Sequence, residues 1–147
     1  MTATNHAMTG AIIGLTVSNP VAAVVIAFFS HFVLDAIPHF GVDEDFYKTK
    51  PFRVVLVIDA LLCLVLVVAL FSLHREYWFV PALAAFAAAS PDLWSFRRFY
   101  NDRVGKPYRP GYIARFASLI QWFERPIGAV VELAWATGAI IILAHIV

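Results

Sequence analysis

His31 and Asp35 stand four residues apart in the stretch Ser30-His31-Phe32-Val33-Leu34-Asp35-Ala36-Ile37-Pro38-His39. On a helix this spacing puts both side chains on one face, about 40° apart. It suits two ligands of one metal ion, as in the paired histidines of zinc proteases. It equally suits a hydrogen-bonded structural pair. His39 would continue the same face, but Pro38 ends the helix and sets His39 in the turn beyond it.

Two acids lie where acids are costly. Asp59 falls within residues 54–73 and Glu132 within 126–147, runs otherwise free of Asp, Glu, Lys and Arg. Each would lie roughly 10–13 Å below the cytoplasmic end of its helix, at about 1.5 Å per residue. An ionised acid alone at that depth costs on the order of 2.5–3.5 kcal/mol. Both therefore imply a partner. No lysine or arginine stands in any apolar run of the chain. Histidine, a metal ion, a shared proton or water remain.

The elements that must position these groups are apolar helices. Of 147 residues, 61% are hydrophobic and 14% charged, with a net charge of +1 and a mean hydropathy of +0.77. An ordinary soluble domain is roughly 25% charged. A soluble chain this small could not hide so much apolar surface, so lipid is the expected solvent. The composition excludes disorder, and the net charge names no partner. Cys63, the single cysteine, can form no intrachain disulfide. No nucleotide-binding glycine loop or nucleic-acid motif appears.

The chain reads as one all-α integral-membrane domain over 1–147. Five membrane helices are expected over about 6–17, 20–36, 52–73, 77–90 and 126–147. Interfacial amphipathic segments are expected at about 92–100 and 112–124, as an aromatic belt or a surface that gathers anionic lipid. The third and fifth helices reach the roughly 20 residues a span requires. The first and fourth are short. Ser18-Asn19-Pro20 is a turn signal. The N-terminus lacks the basic region of a cleaved signal peptide.

The loop with Arg97, Arg98, Arg103, Lys106, Arg109 and Arg115 is opposed only by Asp102. Placed inside, it sets the N-terminus in the cytoplasm and the C-terminus outside. The expected location is a bacterial or archaeal cytoplasmic membrane, crossed several times. His6, His31, Asp35, His39, Asp59, Asp92 and Glu132 then share the cytoplasmic side, while His74 and His145 fall opposite. Clustered intramembrane ionisable groups point to a site. Plainer roles stand beside that one. Asp92 could N-cap the following helix. Glu132 could bond Thr137 or Ser118. His6 could be an ordinary interfacial residue, and Arg53 could snorkel or hold a phosphate. Gly10 and Gly14 allow close helix approach, within the chain or in a homo-oligomer.

Asn5-His6 before a glycine-containing helix, then a hairpin ending in Asp35, Pro38 and His39, resembles the membrane-bound metal-dependent hydrolases (YdjM-like inner-membrane proteins). Pro91-Asp92 resembles the acidic part of that family's pattern. The likeness covers mainly the first forty residues and the Pro91-Asp92 turn. The family's Pro-Asp-x-Asp-His order and its Arg-x-x-Thr-His-Ser stretch are not present. The resemblance implies a hydrolase.

The leading expectation is a small membrane metalloenzyme acting on a lipid or phosphoester substrate at the cytoplasmic face. His6, His31, Asp35, His39 and Asp92 would bind one or two divalent ions, with Asp59 as ligand or orienter. Zinc leads for such a donor set, with manganese or iron next. Glu132 or Asp92 would act as general base, and Arg53 would meet the substrate. The rivals are a proton- or ion-conducting protein and a non-catalytic scaffold subunit.

Overall fold

The computed structural model describes residues 1–147 apart from 42–45, 47, 74–75, 95–99, 102–103, 105–106 and 108; the side chains of 113 and 114 also lie outside the described set. His74, Arg97, Arg98, Arg103 and Lys106 therefore fall outside it, as do most of the residues expected in the first interfacial segment. The elements are α1 (Ala3–Thr16), α2 (Pro20–Asp35), α3 (Lys50–Leu73), α4 (Phe79–Ala89), α5 (Tyr112–Ile120), a 3-10 turn (Pro126–Gly128) and α6 (Ala129–Ile146). The chain is all-helical. Among the described residues the sole β pairing is an isolated parallel bridge between His39 and Glu124.

Local chemistry starts and stops these helices. Asn19 caps α2 by accepting from Ala22 N at 3.0 Å, and Pro20 follows at the first helical position, where its missing N–H costs nothing. Pro38 lies just past the other end. There the Trp122 indole donates to Ala36 O at 2.9 Å, satisfying a carbonyl that the helix leaves open.

Two helices are long and apolar enough to cross a membrane: Lys50–Leu73, and Pro126–Ile146 including the 3-10 turn. Both expose most of their apolar surface. The core helix of a soluble protein does the opposite. The other helices are shorter. Those of 14, 16 and 11 residues in α1, α2 and α4 measure about 21, 24 and 16 Å.

α1 is the central element, packed against α4, α2, α6 and α3. Its closest neighbour is α4, whose alanines Ala82, Ala84, Ala85, Ala87 and Ala88 are buried. A Cβ on Gly10 would stand 2.4 Å from Ala84 O, and one on Gly14 would stand 2.5 Å from Pro81 Cα. The glycine pair thus serves an internal contact, and with α4 rather than α2. Gly138 on α6 has open space around it. Gly10→Ala is expected to lower the thermal midpoint in detergent sharply, because the backbone of α4 must move. Gly138→Ala is expected to raise it slightly, by about 1 kcal/mol of helix propensity. Equal effects would show that the α1–α4 contact is not tight.

The amphipathic segment expected to run to residue 124 leaves the helix after Ile120. Its tail pairs instead with the chain after α2. His39 N donates to Phe123 O, Arg125 N to His39 O, and Gly41 N to Arg125 O, each at 3.2 Å. Gly41 and Gly128 permit this approach, since a Cβ on either would overlap Glu124 or the His39 backbone.

Candidate metal centre

Asp35, at the last turn of α2, joins α1, α2 and the chain that leaves α5. His6 of α1 places Nε2 3.1 Å from its Oδ1, and His31, one turn earlier on α2, places Nε2 3.2 Å from its Oδ2. The imidazoles stack with centroids 3.9 Å apart. All three residues are buried, with His6 at 0% exposure. Their ligand atoms lie within 4.8 Å of one another, so the group could hold a metal ion. Two further donors reach Asp35: Gln121 Nε2 to Oδ2 at 2.8 Å and the Met1 ammonium to Oδ1 at 2.7 Å.

The proton positions sharpen this geometry. His31 Nδ1 lies 2.8 Å from Ala88 O. A carbonyl only accepts, so Nδ1 carries a proton, and with one proton on the ring Nε2 presents a lone pair. That lone pair faces an ionised carboxylate oxygen, which also only accepts. The contact is favourable once a cation, or a second proton on the ring, lies between them. Ligands about 2.0–2.1 Å from a tetrahedral zinc stand about 3.3 Å from each other, close to the separations seen here. The bond to Ala88 O is also the outer support that metal-bound histidines generally have. His6 Nδ1 is buried with no partner, so its ring is less firmly held.

Asp59 and Glu132 are placed beside the start of α1. Asp59 Oδ2 accepts from Ala3 N and Oδ1 from Thr4 N, each at 2.9 Å, and Thr4 Oγ1 also donates to Oδ1. Glu132 Oε2 accepts from Thr2 N at 3.1 Å and Asn5 Nδ2 at 3.2 Å, while its Oε1 accepts from Phe40 N at 3.1 Å. The first N–H groups of a helix have no partner within it, and its N-terminus carries partial positive charge. Acids from α3 and α6 supply that partner here. This is also why α1 begins at Ala3, ahead of His6. The partner expected from a histidine or metal is, for these two acids, backbone N–H. Their oxygens are not among the ligand atoms gathered around Asp35.

The remaining expected residues are spread around this centre. Asp92 lies at its edge, with Oδ1 3.8 Å from His31 Nε2 and the side chain about a third exposed. Burial pushes its carboxyl up to about 6, against the pull of His31. His39 is buried, with Nδ1 donating to Ile37 O at 2.8 Å and Nε2 without a partner. It stands outside the three-residue group. Arg53 is exposed on the first turn of α3. Gln121 went unnoticed in the sequence, although a lone amide beside Trp122-Phe123 was a usable signal. The Ala88 carbonyl leaves no sequence trace at all. No family model, no curated protein and no solved structure matches this chain.

Proposed function

We propose that this chain is a multi-pass membrane metalloprotein whose centre holds one divalent ion, and that it hydrolyses a lipid or phosphoester bond at the cytoplasmic face. The observation that carries this reading is the facing of His31 Nε2 and Asp35 Oδ2, with the His31 proton held on the far side of the ring by Ala88 O. His6 and Asp35 complete the donor set. Two imidazoles and a carboxylate suit zinc, manganese or iron. A divalent ion held there supplies Lewis acidity toward a phosphoryl or acyl oxygen.

The chain's own residues would do the rest. Asp92, about a third exposed at the edge and with its carboxyl pushed up to about 6, is the proton-transfer group. Glu132 is less suited, because both of its oxygens already accept from α1 and Phe40. Gln121 orients Asp35. The exposed apolar faces of α3 and α6 support a bilayer setting, and the resemblance to membrane-bound metal-dependent hydrolases points the same way. A proton shared by His31 and Asp35 satisfies the same geometry and is the second reading.

Metal analysis separates the two. Full-length protein purified in detergent and reconstituted with zinc or manganese is expected to carry one ion per chain, and Asp35→Asn is expected to carry none. A folded wild type that takes up no divalent metal overturns the proposal and leaves the shared proton.

A further inference from the structure

A groove of about 370 Å³ runs along the centre's outer side. Phe28, Phe29 and Phe32 of α2, Trp94, and Tyr112 and Phe116 of α5 line it. Each wall leads to a group of the centre. The Phe32 ring meets the His31 ring edge-on, centroids 5.4 Å apart. Trp94 follows Asp92 by two residues, and the chain leaving α5 brings Gln121 to Asp35. The walls hold one another through ring contacts, Phe28 with Trp94 at 6.5 Å and Phe32 with Phe116 at 5.8 Å.

We propose that this groove binds one acyl chain of a membrane lipid and so sets that lipid's head group beside His31 and Asp92. The inference deepens the metal-site reading and rests on it for the head-group end. Three observations choose the occupant. Among the described residues the lining is entirely aromatic, with no charged side chain. Phe29 and Phe116 remain 60% and 52% exposed, so the groove opens sideways. The surface that continues from it along α2 is apolar as well, with Val21, Val25, Ile26 and Val33 exposed. A ligand entering sideways from such surroundings is dissolved in hydrocarbon. The volume falls at the low end of ligand pockets, roughly 300–1,000 Å³, which fits part of one chain.

The test uses the full chain in nanodiscs containing a phospholipid with a diazirine at mid-chain. After illumination, adducts are mapped by peptide mass spectrometry, and metal content is measured on the same samples. Adducts are expected to concentrate on Phe28–Phe32 and Tyr112–Phe116 above the level on α3, which reports bulk lipid contact. Phe116→Glu is expected to cut groove adducts by about tenfold, since charge is strongly disfavoured in an apolar site, while metal is retained. Phe116→Trp, a milder change, is expected to lower them by narrowing the groove. Labelling no higher than on α3, or unchanged in both variants, overturns the groove assignment whatever the metal content. Groove labelling in a wild type that binds no metal supports the acyl site and overturns the metal reading alone. A photoreactive phenylalanine analogue at position 116 is expected to capture lipid. Capture of a second copy of the chain overturns the proposal.

Discussion

Asp59→Ala is expected to destabilise the folded protein by about 2–5 kcal/mol, because it strands several donors at once, each worth roughly 1–3 kcal/mol when buried and unpaired. Those donors are Ala3 N, Thr4 N and Thr4 Oγ1. They begin the helix around which the others pack, so the loss is not confined to one surface. The readout is the unfolding midpoint in detergent micelles. Asp59→Asn keeps one carbonyl oxygen to accept and is expected to fall between wild type and Asp59→Ala. Metal content of folded Asp59→Asn gives a second readout. Retained metal fits a cap on α1. Lost metal with an unchanged midpoint would make Asp59 a ligand and refute the capping role.

His31→Ala is expected to abolish stoichiometric metal binding, with an affinity loss beyond the roughly 10–100-fold typical of removing an outer-shell partner. Three features make it the most sensitive position. Its ring is anchored by Ala88 O, its Nε2 faces Asp35, and its side chain is buried. His6→Ala is expected to weaken binding less, since His6 Nδ1 has no anchoring partner. Titration with a competing chelator, run on variants whose unfolding midpoints match, gives the order. Equal losses in both variants would remove the anchoring argument. A wild-type affinity in His31→Ala would remove the site.

The helices were legible because an apolar run of sufficient length admits few other structures. The His31–Asp35 pair was legible because helical periodicity alone puts four-apart residues together. The need of Asp59 and Glu132 for a partner was also legible, from the cost of a lone buried acid. Its identity was not. Backbone N–H groups are the same at every residue, so no side chain marks Ala3 and Thr4 as donors. Recognising them requires knowing that α1 starts alongside the tenth residue of α3 rather than level with its end. The exit of the chain from α5 at Gln121 was hidden for a similar reason. The amphipathic pattern continues past it, while the backbone of His39 and Gly41, with Asp35 and Ala36, holds the chain outside the helix.

The capping of α1 also decides how the bundle can come apart. The opening N–H groups of α1 are held by Asp59 of α3, while Thr2 N and the Asn5 amide are held by Glu132 of α6. Detaching α6 alone would free Thr2 N and the Asn5 amide, with Ala3 N and Thr4 N still held. Parting α3 from α1 would free the other pair. The start of α1 is thus a latch with two separate halves, each closed by a helix distant in the chain.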